Sequence, residues 1–208
     1  MKPKKLIMNA RNPEGFWGRM MIRSMNFGHT RLTGWGLRKI PFRSTDIVLD
    51  VGCGGGKTVA RIAKKVPYGK VCGVDYSELS VSESEKYNRK QIRRQRVRID
   101  CAGVSALPYI EGYFDVVTAV ETFYFWPNPT EDLKEVRRVM KTGGRLYLIF
   151  EAQYEESNPG RWKEYEQLIG LKVPSRSGLA RQLREAGFCK IRMYTSAEGW
   201  LCAEAQNV

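Results

Sequence analysis

The sequence predicts an α/β fold in which helices cover one mostly parallel sheet. From residue 46 onward, short apolar segments alternate with segments of helical periodicity, and this alternation is typical of such folds. The 208 residues suffice for one domain of ordinary size, so we expect a single core. A hydrophobic fraction of 42% with 27% charged residues is typical of globular proteins and excludes the disordered and fibrous classes.

Seven strands and four core helices account for this alternation. The expected strands are 46–51, 70–74, 96–100, 113–120, 145–150, 188–194 and 200–205. The expected helices are 58–65, 77–94, 130–140 and 177–186. The last two strands are close enough in the chain to pair as a hairpin.

Residues 1–45 lie outside the alternation and are expected to form a lid over a core at 46–208. Apolar residues recur there at a near-helical spacing, which predicts an amphipathic helix with Arg19 and Arg23 beside its apolar stripe. The apolar positions are Phe16, Trp17, Met20, Met21 and Met25. A polar and aromatic stretch at 151–176 interrupts the alternation again, and we expect it to form a second part of the cover.

The net charge is +13, because 35 Lys and Arg residues stand against 22 Asp and Glu residues. Residues 1–45 contain ten basic residues and one acidic residue, a net charge of +9. A second basic run at 86–98 contains seven basic residues and no acidic one. Such a field raises the local concentration of nucleic acids, anionic lipids and anionic small molecules alike. The charge therefore predicts an anionic partner without deciding among these three.

Thiol content and the absence of targeting patterns indicate a cytoplasmic protein. No apolar run approaches the roughly 20 residues of a transmembrane helix, and no apolar stretch follows the basic start as a secretory signal requires. The five cysteines lack the paired spacing of a zinc site, and their odd number argues against a disulfide framework. We therefore expect reduced thiols and no metal site.

A glycine-rich turn lies between the first predicted strand and the first predicted core helix. Gly52, Gly54 and Gly56 let the backbone turn tightly and approach a ligand closely, beside the free amides of the helix that follows. A dinucleotide motif requires a third glycine where Lys57 stands, and a Walker motif requires glycine where Val51 stands. Both phosphate-binding motifs therefore fail at one residue.

The second predicted strand is followed by Asp75, which lies 25 residues after Asp50. A carboxylate at the end of a strand is well placed to accept two hydrogen bonds from ribose hydroxyls. The alternative is that Asp75 caps the next helix. The glycine turn upstream favours the ribose role.

Five segments resemble, in order, the motifs of class I S-adenosylmethionine-dependent methyltransferases, and the whole is similar to the type 11 methyltransferase domain. The segments are 50–56, 73–77, 105–108, 114–117 and 139–146. The resemblance implies a Rossmann-like sheet of seven strands whose last strand is antiparallel. It also implies S-adenosylmethionine as the cofactor and methyl transfer as the reaction.

The resemblance further implies ten cofactor-binding residues. Those expected at the methionine end of the cofactor are Asp50, Gly52, Cys53, Gly54 and Gly56. Those expected around the ribose and the adenine are Asp75, Tyr76, Gly103, Val104 and Ser105. Many relatives have an acidic residue where Gly103 stands.

The fourth predicted strand is followed by an acidic and aromatic segment at 121–127, where methyltransferases of nucleobase amines often carry the pattern [DN]PP[YFW]. Glu121 is a candidate for contact with the cofactor's ammonium group or for the general base. The aromatic residues are candidates for a wall around the acceptor, or alternatively for core packing; they are Phe123, Tyr124 and Trp126.

His29 is the only histidine and lies in the expected lid. Its ordinary pKa suits proton removal from a hydroxyl or thiol, which makes it a second catalytic candidate. The alternative is an ordinary histidine in a turn.

Three functions are compatible with the sequence. The favoured one is methyl transfer to a small-molecule acceptor that is polar or anionic. The second is a methyltransferase that acts on RNA or protein, which the net charge of +13 would suit. The third is a non-catalytic module that binds the cofactor or a lipid surface.

Overall fold

A computed structural model of the chain describes residues 13–151, 160 and 162–208. The strands are β1 (Ile47–Val51), β2 (Lys70–Asp75), β3 (Val97–Cys101), β4 (Phe114–Val120), β5 (Met140–Phe150), β6 (Phe188–Thr195) and β7 (Leu201–Asn207). The α-helices in the described part are α1 (Gly15–Gly28), α2 (Thr30–Leu37), α3 (Lys57–Lys65), α4 (Glu78–Arg93), α5 (Pro129–Val139), α6 (Lys163–Ile169) and α7 (Arg176–Glu185). A short 3₁₀ helix covers Phe123–Phe125.

The strands form one seven-stranded sheet in the order β3-β2-β1-β4-β5-β7-β6. β7 runs antiparallel to both of its neighbours, whereas the other pairs are parallel. The expected seven-stranded sheet with an antiparallel last strand is therefore confirmed. The strand order reverses direction between β1 and β4, and ligands of open α/β sheets bind in the crevice at such a switch point.

Two hydrophobic clusters lie on the two faces of the sheet. Leu49 belongs to one cluster together with residues of α5 and α7, whereas its neighbour Val48 belongs to the other together with residues of α2 and α3. Successive residues of a strand point to opposite faces, so helices cover both sides of the sheet. Both residues are fully buried, as the apolar run of the first predicted strand requires.

Most observed boundaries lie within two residues of the expected ones, and the largest difference is at the start of β5. The helix expected over 130–140 ends at Val139, and β5 begins at Met140 rather than at residue 145. Met140 pairs with Phe114 across a register shift in the β4–β5 ladder. The glycines at 143 and 144 thus lie within a strand that bends, and they do not close the helix.

The N-terminal part contains two helices where one was expected, and residues 1–12 of the expected lid lie outside the described residues. Met21 and Ile22 of α1 are buried. The predicted apolar stripe is divided, because Phe16, Trp17 and Met20 are exposed. Of the expected cover at 151–176, residues 152–159 and 161 also lie outside the described residues.

The described part contains no helix that is long and apolar enough to cross a bilayer.

Arg96 of the second basic run forms hydrogen bonds at the C-terminal end of α3. Its guanidinium donates hydrogen bonds to the carbonyls of Ala63 at 2.9 Å, Val66 at 2.7 Å and Gly69 at 3.1 Å, and a short one to Pro67. The last carbonyls of a helix lack partners within the helix, so a basic side chain there satisfies them. Arg96 is thus a structural residue, and the basic run is not one continuous solvent-facing surface.

Replacement of Arg96 with glutamine should lower the free energy of unfolding by about 1.5–3 kcal/mol, because several charge-assisted hydrogen bonds are lost. Urea denaturation measures the change. Arg94→Gln is the matched control, since Arg94 is exposed two residues away. Equal losses in the two variants would contradict the structural role.

Candidate active site

A cavity of about 630 Å³ lies at the carboxyl ends of β1, β2 and β4. It brings together thirteen of the fifteen predicted site residues. The cofactor candidates in its wall are Asp50, Gly52, Cys53, Gly54, Asp75, Tyr76, Gly103, Val104 and Ser105. The catalytic and acceptor candidates in its wall are His29, Glu121, Tyr124 and Trp126. Residues from strands far apart in sequence therefore meet at the switch point of the sheet.

Asp75 ends β2 with a nearly buried carboxylate. Its Oδ2 accepts a hydrogen bond from the amide of Gly54 at 2.9 Å, and its Oδ1 accepts one from the amide of Ser77 at 3.0 Å. Burial raises the pKa of Asp75 although these amides oppose the shift. The N-cap of α4 is Ser77, whose hydroxyl accepts from the amide of Ser80 at 3.3 Å. Asp75 is thus not the cap, and each of its oxygens retains a lone pair for a further donor.

Asp50 lies fully buried beside the glycine turn and accepts a hydrogen bond from the hydroxyl of Thr118 at 2.7 Å. Burial raises the pKa of Asp50 to about 7, and the nearby charge of Asp75 adds to the shift. A cation bound in the cavity would stabilise the ionised carboxylate and so offset the free-energy cost of burying its charge.

Gly54 and Gly103 leave room for a ligand. A β-carbon added at either position would meet no atom within 4 Å, although both residues line the cavity. Gly54 also has a φ of +51°, in the left-handed region that favours glycine. The hydroxyl of Ser105 donates a hydrogen bond to Asp132 of α5 at 2.5 Å, so its proton is not available to a ligand in the cavity. This half of the cavity has the open backbone and the buried carboxylates that a cationic, hydroxyl-bearing cofactor requires.

Gly56 is not in the cavity wall. A β-carbon at this position would lie 2.3 Å from Oγ of Ser84 and 2.4 Å from Nδ2 of Asn88, both on α4. The carbonyl of Gly56 accepts a hydrogen bond from Asn88 at 3.0 Å. We therefore assign Gly56 to the close packing of α3 on α4. Cys53 lies in the wall with a buried thiol, 3.8 Å from the hydroxyl of Ser84.

Lys57 forms hydrogen bonds to the N-terminal helices, and the sequence motif did not support a phosphate-binding role for it. Its ammonium group donates to the carbonyl of Asn26 at 2.9 Å and to the hydroxyl of Thr30 at 2.8 Å. Arg61 donates to the carbonyl of Thr30 at 2.9 Å. The last turn of α1 contains no basic residue, so Lys57 of α3 provides a positive charge at its C-terminal end. Neither contact was evident from the sequence.

Glu121 follows β4 in a strained conformation, with a φ of +62° that a non-glycine residue rarely adopts. Its Oε1 accepts from the amide of Glu151 at 2.7 Å, and its Oε2 accepts from the hydroxyl of Tyr124 at 2.5 Å. Nε2 of His29 lies 3.6 Å from the same Oε2. Burial raises the pKa of Glu121 to about 8, and the hydrogen bond from Tyr124 opposes the shift. The strained backbone thus holds a carboxyl group of near-neutral pKa in the cavity wall.

Glu151 is a third member of this group that sequence reasoning missed. Ligand-type atoms of His29, Glu121 and Glu151 lie within 4.8 Å of one another, as a shared cation would require. Both oxygens of Glu121 also accept hydrogen bonds from protein donors, which fix the orientation of its carboxyl group. Because burial raises its pKa, Glu121 is the member of this group that is suited to acid–base chemistry.

An apolar wall faces this cluster. Tyr124 and Trp126 belong to it, together with residues from the stretch around α6, which are Trp162, Tyr165, Ile169 and Leu171. Phe123 does not line the cavity. It packs edge-on against Trp126 at 5.1 Å between ring centroids and stacks on Phe150 at 6.3 Å, with 2% of its surface exposed. The 3₁₀ helix turns Phe123 into the core, so we assign it to packing.

The charged side chains of the cavity wall are mainly acidic. The described wall contains the carboxylates of Asp50, Asp75, Glu121 and Glu151. Its lysine and arginine are Lys57 and Arg61, whose hydrogen bonds go to the N-terminal helices. The positive charge of the chain therefore lies largely outside the cavity.

Sequence comparisons identify methyltransferases as relatives of this chain. Residues 49–148 match the family model described as a methyltransferase domain. A 27-O-demethylrifamycin SV methyltransferase of Amycolatopsis mediterranei is 34% identical over 119 residues, which cover 57% of this chain and 43% of that protein. A demethylmenaquinone methyltransferase of Lactobacillus johnsonii is 29% identical over 136 residues, which cover 64% of this chain and 55% of that protein. The chain spans about half the length of these curated relatives.

The fold is shared with solved structures. A SAM-dependent methyltransferase from Aquifex aeolicus superposes with a TM-score of 0.76 at 23% identity, covering 91% of this chain and 98% of that one. The matched family segment contains the strands and the turn from which the cofactor half of the cavity is built. The resemblance stated from the motifs is thus confirmed: residues 49–148 match a methyltransferase domain, and the sheet has the fold of a solved SAM-dependent methyltransferase.

Proposed function

We propose that this protein methylates a small molecule that has an apolar, ring-containing body and one weakly acidic O–H, N–H or S–H group. The observation that carries the proposal is the division of one cavity into two halves. One half has open glycines and buried carboxylates, and the other has aromatic and aliphatic side chains beside Glu121.

The cofactor half fits S-adenosylmethionine, which supplies a methyl group already activated on a sulfonium. Asp75 would accept hydrogen bonds from the ribose hydroxyls through its remaining lone pairs. Asp50 and the backbone of Gly52–Gly55 would hold the methionine end, and the buried carboxyl group of Asp50 suits a cation. Gly103 and Val104 would border the adenine.

The acceptor half supplies a base. Glu121 would take the proton from the acceptor's O–H, N–H or S–H group, and the electron pair left on that atom would form the new bond to the methyl carbon. Tyr124 holds the carboxylate by its hydrogen bond to Oε2. His29, at 3.6 Å from Oε2, would pass the proton onward, since its side chain is 31% exposed.

The helices α1 and α2 would cover this reaction as a lid. Met21, Ile22 and Met25 of α1 lie in the cavity wall. Gly55 permits this closeness, because a β-carbon there would lie 2.6 Å from Ile22 and 2.4 Å from Asn26. Exclusion of water would strengthen the electrostatic interactions in the site.

An acceptor with a neutral body fits this cavity better than the anionic acceptor expected from net charge. The lysine and arginine of the described wall are bound to the N-terminal helices, and four acidic residues line the cavity. The names of the two relatives identify small-molecule acceptors, 27-O-demethylrifamycin SV and demethylmenaquinone. An RNA acceptor gains no support from 86–98, where Arg96 and Arg98 bind protein groups.

Acceptor polarity can be tested with a neutral naphthol, the same naphthol bearing a sulfonate, and a short RNA, each with labelled S-adenosylmethionine. We expect transfer chiefly to the neutral naphthol. Trp126→Leu should raise its KM about tenfold, since an aromatic wall contact is lost. Trp200→Leu is the control, because Trp200 is also partly buried but does not line the cavity. Preferred transfer to RNA or to the sulfonate would overturn the proposal.

A further inference from the structure

Helix α1 has a second apolar face that the core does not use. Its buried face is formed by Gly18, Met21 and Ile22. Four large apolar side chains lie on the opposite side and are exposed: Phe16 by 70%, Trp17 by 49%, Met20 by 42% and Phe27 by 83%. At about 100° per residue, these four positions fall within an arc of about 100°. A surface helix ordinarily has one apolar stripe and a polar opposite face, so this second stripe requires another explanation.

Basic residues flank the exposed stripe. Arg19 and Arg23 are exposed on one side of it, in a helix whose first turn has no acidic residue. The whole segment 1–45 has ten bases and one acid, a net charge of +9. Aromatic side chains next to basic ones are typical of helices that lie in the interface of an anionic membrane.

We propose that the exposed face of α1, defined by Phe16, Trp17, Met20 and Phe27, docks on the surface of an anionic lipid bilayer. The helix has 14 residues and is about 21 Å long, too short to cross a hydrocarbon core of about 30 Å. It therefore lies along the surface, with its apolar side chains in the lipid and Arg23 at the phosphates, whereas Arg19 also lies 3.9 Å from Glu83 of α4.

Docking would bring the cavity close to the lipid. The other side of α1 contributes Met21, Ile22 and Met25 to the cavity wall, so one helix diameter of about 10 Å separates cavity and bilayer. An apolar acceptor dissolved in the membrane would then reach the cavity over a short path. This consequence rests on the proposed function, whereas the docking itself does not.

A second copy of the chain is a poorer occupant of this face. Two segments of +9 would repel each other, and four side chains offer little area for a stable dimer. Anionic lipid provides the opposite charge and an apolar phase together. The dimer is therefore an outcome that the experiment must be able to reveal.

The test is sedimentation of the full chain with vesicles, without cofactor or acceptor. We expect binding to phosphatidylcholine vesicles with about 30 mol% phosphatidylglycerol, and about tenfold weaker binding to phosphatidylcholine alone. The combined variant Phe16→Ser, Met20→Ser and Phe27→Ser should bind the anionic vesicles about tenfold more weakly. The matched control replaces three exposed apolar residues elsewhere, Tyr68→Ser, Tyr87→Ser and Ile110→Ser, and should bind like the wild type.

Three results would overturn the proposal. The first is no binding to either vesicle, and the second is equal loss in the control variant. The third is a wild-type dimer that the α1 variant converts to a monomer in equilibrium sedimentation. Methyl transfer to a water-soluble acceptor should persist in the α1 variant, so failure of docking is distinguishable from failure of the proposed function.

Discussion

Replacement of Glu121 with glutamine should lower kcat for methyl transfer by about 10²- to 10⁴-fold, the usual contribution of a positioned general base. Glutamine is nearly isosteric but cannot take a proton. Asp75, the proposed ribose contact, lies on another strand, so the affinity for S-adenosylhomocysteine should change little. Initial rates with labelled S-adenosylmethionine at saturating acceptor measure kcat, and calorimetry measures the affinity.

The pH dependence distinguishes a base from a structural acid. Burial raises the pKa of Glu121 to about 8, so the carboxylate is largely protonated at neutral pH. A protonated group cannot act as a base, and kcat/KM should therefore fall about tenfold per pH unit below about pH 8. Tyr124→Phe removes a donor that stabilises the ionised form, and should move this profile to higher pH. A flat profile, or a Glu121→Gln variant of normal rate, would assign the proton transfer elsewhere.

The cofactor half of the site could be predicted because its residues are local in sequence. Gly54 lies three residues after the end of β1 and Asp75 ends β2, so finding the strands also placed these residues at the sheet's carboxyl edge. Parallel pairing of β1 with β2 then brings them together, as the hydrogen bond from Gly54 to Asp75 shows. Motif order and strand periodicity were sufficient for this part.

The acceptor half could not be predicted to the same degree, because it depends on tertiary contacts. Phe123 and Tyr124 are adjacent and both aromatic, yet the 3₁₀ helix sends Phe123 into the core and Tyr124 to Glu121. Composition does not distinguish two such neighbours. Glu151 reaches Glu121 only because β4 and β5 are paired, with a separation of 30 residues along the chain.

The basic residues were the least reliable indication of which charge an acceptor would meet in the cavity. Lys57 and Arg96 look alike in a count of charge, but each donates to backbone carbonyls at the end of a helix, Lys57 at α1 and Arg96 at α3, and Lys57 also donates to the hydroxyl of Thr30. Such partners come from elements 27 or more residues away, and no local pattern indicates them. Net charge therefore overstated the positive field that an acceptor in the cavity would meet.

Asp75→Ala should weaken the binding of both S-adenosylmethionine and S-adenosylhomocysteine by about 1–3 kcal/mol, or about 5- to 150-fold in dissociation constant. The amides of Gly54 and Ser77 fix the orientation of this carboxylate at the end of β2. In the proposed role it would then accept hydrogen bonds from the ribose hydroxyls without first reorienting. Calorimetry with both ligands measures the loss. NAD should produce no binding heat with the wild type or with the Asp75→Ala variant, since Lys57 replaces the third glycine of a dinucleotide motif.

The matched control must separate the ribose contact from damage to the turn. Ser77→Ala removes the N-cap of α4, which accepts from the amide of Ser80, but leaves the carboxylate of Asp75 in place. It should lower the free energy of unfolding by about 1 kcal/mol while nearly preserving the affinity for S-adenosylhomocysteine. Asp75→Asn, which keeps one acceptor oxygen, should fall between wild type and Asp75→Ala. If Ser77→Ala weakened binding as much as Asp75→Ala, the shape of the turn, and not the carboxylate, would hold the cofactor.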